Sequence, residues 1–161
     1  SSMMRLCIAG QLALMPASVA ILAPGVNAFR RLRKNLTEPV FNSWGYNTRS
    51  AALRIPCSDE SNRRIEYRLA GADANPYLVT ATILTGMLYG LEHIDEGDLP
   101  EPQHDQPELP LFQQEAIEAF ARCQYLTDSL GDAFSEQWVA CKLSELDWFE
   151  RIVTQEESHL A

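Results

Sequence analysis

Charged side chains that could bind an anion and a metal ion together are concentrated near the middle of the chain. In the run R-I-E-Y-R-L, a period of two places Arg64, Glu66 and Arg68 on one face. Guanidinium groups grip phosphate or carboxylate through paired hydrogen bonds, and a carboxylate can bind Mg²⁺ or Mn²⁺. Such a face suits a polyanion that carries a divalent cation. A solvated, salt-bridged strand face gives the same alternation, so both interpretations stay open on these residues alone.

A β-hairpin is the element that must position this row of charges. Residues 50–55 also alternate as a strand, and Pro56 ends it because proline cannot donate to a strand ladder. The polar loop 57–62 then returns the chain, which brings Arg49 and Arg54 near the row. The sequence therefore predicts an antiparallel hairpin with a cationic face that holds one carboxylate.

Four blocks in this region resemble the glutamine synthetase family in order and nearly in spacing. Residues 49–56 and 63–68 are similar to the family's N-R-S-A-x-x-R-I-P and R-R-I-E-x-R segments, and residues 74–78 read A-N-P-Y-L. Upstream, residues 24–32 are similar to P-x-x-N-S-Y-K-R-L. Four ordered blocks are far more specific than one motif. The resemblance covers about residues 3–158 and implies an α+β fold, the C-terminal part of the family's catalytic domain.

The resemblance implies substrate-binding and catalytic roles for three arginines. Arg31 and Arg68 match the family's arginines that hold the carboxylate of the substrate glutamate and the transferred phosphate. Arg49 is the third catalytic candidate, because it matches a family arginine that contacts the nucleotide phosphates. Arginines at these places would stabilise charge on the transferring phosphoryl group.

The resemblance also implies the cofactors, ATP and Mg²⁺ or Mn²⁺. Arg49, Arg54 and Arg64 match family residues that contact the nucleotide phosphates, and Glu66 matches a metal-ligand glutamate. The implied reaction transfers the γ-phosphoryl group of ATP to the γ-carboxylate of glutamate. An amine then displaces phosphate, so glutamate and an amine are the expected small-molecule partners.

Departures from the family pattern bear on the amine. Ammonia-using members place a glutamate two residues before the proline of the A-P-V block, where Thr37 stands here, with Glu38 displaced by one. The segment Ser43-Trp44-Gly45 resembles the branch that ligates glutamate to polyamines such as putrescine. The loop 95–110 has no tyrosine for the adenylylation known in some bacterial members. We predict a γ-glutamyl-polyamine ligase, with an ammonia-using glutamine synthetase as the alternative.

Family members also carry an N-terminal β-grasp domain and a first catalytic half, which supply most of the metal-binding glutamates and a histidine. Neither is present in these 161 residues, so we expect the isolated chain to be inactive. Family members form double hexameric rings, which this chain alone is not expected to form. A truncated, non-catalytic module that retains only the fold core is the alternative from another functional class.

Composition and charge limit the other classes of function. An apolar fraction of 46% over 161 residues is sufficient for one domain with a core. Residues 1–68 hold ten of the thirteen Lys and Arg but four of the twenty-two Asp and Glu, so the first half is cationic and the remainder strongly acidic. The basic residues form no continuous patch with interleaved aromatics, which argues against nucleic acid as a partner.

Cysteine spacing and the apolar N-terminal segment indicate a cytoplasmic protein without a membrane span. Four scattered cysteines lack C-x-x-C spacing, and we expect free thiols and no structural zinc site. Residues 3–22 could be taken for a signal peptide, but Gln11 and Pro16 interrupt the run. We interpret the segment as a buried core helix, similar to one in the family.

Three segments organise the chain: sheet and core helices (1–94), an acidic, proline-rich loop (95–111) and a helical tail (112–161). Asn75 and Pro76 are typical of a helix start, and the apolar helix 77–93 should be buried on most sides. Gly86 and Gly90 predict close approach of another element.

The tail should contain two helices separated near residues 129–132, with Ser135 as the second N-cap and Trp138 and Trp148 as packing residues. The apolar positions at helical spacing are Phe112, Ala116, Phe120, Cys123 and Leu126, then Val139, Leu143, Leu146, Phe149 and Val153.

Overall fold

Three long helices and a small three-stranded sheet define the fold of the computed structural model, which describes residues 2–34, 39–95, 101–102 and 107–153. The α+β class predicted from the sequence is confirmed. The helices are α1 (Ser2–Leu22), α2 (Val26–Arg31), α3 (Pro76–His93), α4 (Gln113–Arg122), α5 (Gln124–Leu130) and α6 (Asp132–Glu150). The strands are β1 (Trp44–Tyr46), β2 (Leu53–Ile55) and β3 (Glu66–Tyr67), with a 3₁₀ turn at Glu60–Asn62.

Helix α1 is the predicted core helix. It continues through Pro16, and its side chains are buried from Cys7 onward at most positions. By length and composition alone α1 could cross a membrane, but 78% of its 18-residue apolar window is buried inside the fold. All four cysteines are free thiols, and burial raises the pKa of the Cys7 thiol.

Helices α1 and α3 cross with their backbones in direct contact. A Cβ atom at Gly90 would collide with the carbonyl oxygen of Leu6, and one at Gly10 would collide with the backbone of Gly86 and Gly90. Since those neighbours are backbone atoms, they cannot move aside as a side chain would. The predicted role of Gly86 and Gly90 in close approach is confirmed.

The outer face of α3 contradicts the expectation of burial on most sides. Only Thr82, Thr85, Gly86 and Gly90 of this helix are buried. Large apolar side chains lie on the other face: Tyr77 (83% exposed), Leu84 (57%), Leu88 (48%) and Leu91 (46%). The reason is that α1 approaches the small-residue face, so the bulky face has no partner among the described residues. The start of α3 is as predicted, because Asn75 Oδ1 accepts hydrogen bonds from the backbone amides of Tyr77 and Leu78.

The sheet has the order β1-β2-β3 and mixed direction. The predicted hairpin is confirmed: β2 and β3 pair antiparallel, and Arg54 lies opposite Glu66. The strands are shorter than predicted, and β2 does end before Pro56. Strand β1 was not predicted; it pairs parallel with β2, with Trp44 opposite Leu53. Leu53, Ile55 and Trp44 are buried, so the inner side of the sheet joins the core.

The second half of the chain returns over α1 and the segment before β1. Residues 96–100 and 103–106 of this half lie outside the described residues. Beyond them, the Leu109 amide donates to the Val40 carbonyl at 2.8 Å, and the Asn42 amide donates to the Pro107 carbonyl at 2.9 Å.

The helical tail departs from its prediction in two places. The first predicted helix is split at Cys123 into α4 and α5. Ser135 is not an N-cap: α6 begins at Asp132 after Gly131, whose φ is 93°, and Ser135 Oγ donates to the Thr127 carbonyl instead. The break itself lies where predicted, because glycine alone adopts that φ without strain.

The two tail tryptophans behave differently. Trp138 packs as expected, with its ring centroid 5.7 Å from that of Phe134 and the Lys142 ammonium 4.7 Å from its centroid. Trp148 is 67% exposed, so its assignment as a packing residue is wrong. The apolar stripe of α6 is therefore only partly covered, and Val153 beyond its end is 75% exposed.

Candidate functional site

An ion pair between neighbouring strands forms the centre of the site. Arg54 on β2 and Glu66 on β3 are opposite each other in the antiparallel register, and Arg54 Nη1 donates to Glu66 Oε2 at 3.0 Å. Their side chains are 23% and 30% exposed. Nε of Arg54 is buried with no hydrogen-bond partner among the described residues. The hairpin thus pairs one guanidinium with a carboxylate and leaves its Nε donor unused by the described residues.

Two further side chains bind this pair from either side. Arg64 donates through Nη2 to the second oxygen of Glu66 at 3.0 Å. Asn47 Oδ1 accepts from Arg54 Nη2 at 3.0 Å. Asn47 has a positive φ of 50°, a conformation that asparagine tolerates better than most residues. Sequence reasoning missed Asn47; the residue type was the available signal, because asparagine favours turns.

Arg31 and Arg68 are each hydrogen-bonded to a backbone carbonyl group of a residue that lies within two positions of a strand. Arg31, in the last turn of α2, donates to the Leu69 carbonyl at 2.9 Å. Arg68 Nη1 donates to the Ala51 carbonyl at 3.3 Å, and its backbone amide donates to the Ala52 carbonyl at 2.9 Å. Both arginines therefore border the strand that carries Glu66, as the hairpin prediction required for Arg68.

Arg49 lies apart from the ion cluster. It is exposed, in the loop that joins β1 to β2, and its side chain has no hydrogen bond or ion pair to the described residues. Thr48 and Ser50 hydroxyls lie 2.9 Å apart on either side of it. The structure therefore brings Arg54, Arg64 and Glu66 together and leaves the Arg49 side chain facing solvent.

Tyr67 lies beside Glu66 on the opposite side of β3, as strand alternation predicts. Burial raises the pKa of Tyr67 above its usual range, and a hydrogen bond with Ser18 of α1 acts in the opposite direction. A neutral phenol beneath the sheet and a row of charges above it give this strand two chemically different faces.

The donor set fits a polyphosphate together with a divalent metal ion. Arg54 and Arg64 offer fork-shaped donors of the kind that phosphate accepts in a bidentate way. Glu66 supplies one carboxylate, and Mg²⁺ typically binds one or two carboxylates while taking its remaining ligands from phosphates and water. No group of three His, Cys, Asp or Glu side chains able to hold a metal occurs within the described ranges. The metal would therefore depend on the phosphates as well as on Glu66.

Comparison with known proteins identifies the family. The family model described as "Glutamine synthetase, catalytic domain" matches residues 1–160. The chain belongs to this family. It is 43% identical over 163 residues to gamma-glutamylputrescine synthetase PuuA of Escherichia coli, covering 98% of this chain and 34% of that protein. It is 36% identical over 151 residues to Lengsin of Mus musculus, covering 87% of this chain and 26% of that protein.

A solved glutamine synthetase-type fold supports the same assignment. The structure titled "Apo GmaS without ligand" matches with a TM-score of 0.83 and 26% identity, over 99% of this chain and 38% of that one. This glutamine synthetase domain thus spans about a third of the length of the relatives it matches. Thr37 and Glu38, on which the amine prediction depends, lie outside the described residues.

Proposed function

We propose that the chain forms part of an ATP-dependent carboxylate-amine ligase. The ligase joins glutamate, through its γ-carboxylate and a γ-glutamyl phosphate, to a polyamine such as putrescine. The ion cluster of Arg54, Arg64 and Glu66 is the observation that carries the proposal, because it brings two fork-shaped guanidinium donors together with one carboxylate. The 43% identity to gamma-glutamylputrescine synthetase supports the choice of amine.

In this proposal the ion pairs at Glu66 exchange partners when nucleotide binds. ATP with its Mg²⁺ or Mn²⁺ supplies the phosphoryl group that activates the carboxylate. The guanidinium groups of Arg54 and Arg64 would hold phosphate oxygens, and Glu66 would bind the metal ion. The Arg64–Glu66 pair is inexpensive to break because the Arg64 side chain is 55% exposed, and exposed pairs contribute about 0–1 kcal/mol.

The remaining arginines act on the acceptor and on the transferred group. Arg31 and Arg68 are assigned to the glutamate carboxylate and the phosphate, and the carbonyl groups that they bind hold them beside the cluster. Arg49, which has no ion pair to exchange among the described residues, is free to reach the nucleotide phosphates. Fixed cations around a phosphoryl group lower the barrier because they need no reorganisation during transfer.

Calorimetry with ADP and Mn²⁺ at low salt tests the nucleotide site. We expect Arg64→Gln and Arg49→Gln to weaken binding by about tenfold each, roughly 1.4 kcal/mol. Arg122→Gln is the matched control, since Arg122 is exposed and pairs only within α4. Equal affinity in the parent, the two site variants and the control would show that the face is ordinary solvated surface.

The choice of amine is tested on the complete enzyme of which this chain forms part. Phosphate release with glutamate and ATP is measured against putrescine, ethanolamine and ammonium, comparing kcat/KM because that ratio reports discrimination. We expect putrescine to exceed ammonium by about tenfold. Thr37→Glu should narrow that difference by restoring a carboxylate at the position where ammonia-using members carry one. A preference for ammonium that Glu38→Ala abolishes supports the ammonia-using alternative instead.

Assembly and location follow as parts of the same proposal. The complete enzyme assembles as a homo-oligomeric double ring in the cytoplasm, consistent with four free thiols. The 161-residue chain alone stays outside such a ring. Light scattering that shows a dodecamer from this chain alone would contradict the assembly proposal. That result would have no bearing on the proposed nucleotide site.

A further inference from the structure

A cavity separate from the arginine face opens between α2, the start of α4 and the end of α6. Its volume is about 570 Å³. Small-molecule sites usually enclose about 300–1,000 Å³, so the space suits a small organic ligand. Phe29, Leu111, Leu146 and Phe149 provide much of the wall, which makes the interior largely apolar.

One polar side chain in this cavity wall is buried without a partner. Gln113, the first residue of α4, is 6% exposed. Neither its amide nitrogen nor its amide oxygen has a hydrogen-bond partner among the described residues. A buried polar group left unsatisfied costs about 1–3 kcal/mol, so a ligand that accepts a hydrogen bond from the amide nitrogen of Gln113 would recover part of that cost.

The charges around the cavity favour an anion. Arg30, Arg33 and Lys34 line it together with one acidic residue, Glu150. The Arg30 guanidinium carbon lies 5.5 Å from the centroid of Phe149, so its planar group is already held against an aromatic wall. Lys34 is paired with Glu108 at 2.5 Å, which leaves Arg30 and Arg33 as the cations best placed to receive a charge.

The cavity and the sheet site lie on different sides of α2. Arg31, the residue next to Arg30, donates to the Leu69 carbonyl beside the sheet. Neither Arg54, Arg64 nor Glu66 lines the cavity. A ligand in the cavity therefore contacts none of the groups assigned to nucleotide.

We propose that this cavity is a second ligand site that binds a small carboxylate with an apolar body. The carboxylate is bound by the guanidinium groups of Arg30 and Arg33. The apolar body packs against Phe29 and Phe149. The carboxylate also accepts a hydrogen bond from the amide nitrogen of Gln113, so that this buried donor gains a partner.

Titration of the ¹⁵N-labelled chain with 3-phenylpropionate tests the proposal. We expect the side-chain amide resonances of Gln113 to move, and the neutral analogue 3-phenylpropionamide to bind about tenfold more weakly. Equal affinity for the two compounds, or no movement of the Gln113 resonances up to the solubility limit of the carboxylate, overturns the proposal.

Matched variants separate this site from the surface and from the sheet. Arg33→Gln, at an exposed position that leaves folding intact, should weaken the carboxylate about tenfold while leaving the neutral amide unchanged. Gln113→Leu should weaken it as well, and should raise the melting temperature of the unliganded chain by removing an unsatisfied amide. Arg64→Gln and Arg122→Gln should leave carboxylate affinity unchanged. Full affinity in Arg33→Gln, or an equal loss in Arg122→Gln, would show that no built anion site exists here.

Discussion

The glycine crossing of α1 and α3 and the arginine face of the sheet use opposite kinds of contact. At the crossing, backbone meets backbone, and a single added methyl group at Gly90 would strike a carbonyl oxygen. On the sheet, long side chains reach across partly exposed space to form ion pairs near 3.0 Å. The crossing has no room to adjust, whereas the arginines can change partners with little cost.

The glycine crossing stabilises the fold, whereas the arginine face forms the candidate functional site. Close packing makes each atom at the crossing matter to stability, since interiors are as dense as organic crystals. Partly exposed ion pairs add little to stability. A row of arginines that stabilises the fold so weakly is better explained by a ligand than by packing, and the following substitutions test that contrast.

The largest effect is expected from Gly90→Ala. Despite the better helix propensity of alanine, the new Cβ would force α1 and α3 apart, and overpacking of this kind costs about 3 kcal/mol of unfolding free energy. Urea denaturation measures the loss. Gly25→Ala is the control, because a Cβ there meets only Asp73 Oδ2 at an ordinary 3.6 Å. Equal stability of the two variants would contradict the tight crossing.

A much smaller effect is expected from Arg64→Gln on the sheet. Its side chain is 55% exposed and its one ion pair is to Glu66, so the unfolding free energy should change by less than about 1 kcal/mol. The same urea titration checks it. A loss as large as that from Gly90→Ala would mean that the arginine face is structural, and the contrast between the two regions would fail.

The two faces of α3 allow a similar comparison within one helix. Leu84→Gln and Leu88→Gln alter exposed side chains, so each should change the unfolding free energy by no more than about 0.5 kcal/mol. Both should reduce concentration-dependent light scattering, because exposed apolar patches favour association. Strong destabilisation by either would show that the outer face is packed in solution.

The smallest effect concerns pH. Tyr125 donates to Glu92 at 2.8 Å, and this hydrogen bond raises the pKa of Tyr125 above its ordinary value of 10.0. Since folding raises the pKa, the stabilisation is present below about pH 10 and is lost as the pH rises toward the folded-state value. Urea midpoints should therefore fall on raising the pH to about 11, and less so in Glu92→Gln. An identical fall in both proteins would remove Glu92 as the cause.

Local rules predicted the parts of the fold that local chemistry determines. Asn75 starts α3 because its side chain caps free backbone amides, and Pro76 suits the first helical position because no amide hydrogen is needed there. Pro56 ends β2 because proline has no amide hydrogen to donate to a neighbouring strand. The approach of Arg54 to the row that contains Glu66 followed from strand alternation and the polar loop between the two strands. None of these required knowledge of a distant partner.

Features set by distant partners were not predictable in this way. Strand β1 is three residues of W-G-Y, too short for a period, and its parallel pairing to β2 depends on the fold around it. The apolar composition of α3 did not show which face α1 would cover. Likewise, Ser135 looked like a cap, but Gly131 turns the chain four residues earlier and α6 begins at Asp132.

The glycine crossing also has a consequence for folding during synthesis. Helix α1 ends at Leu22. Gly90, the last of the α3 glycines that pack against α1, lies 68 residues later in the chain. At the usual synthesis rate of about 5–20 residues per second, the ribosome takes roughly 3–14 s to add them. During that interval a helix apolar enough to cross a membrane has no packing partner in α3. Agents that bind apolar nascent segments therefore have seconds in which to act on α1, and slower translation between the two helices should increase its aggregation.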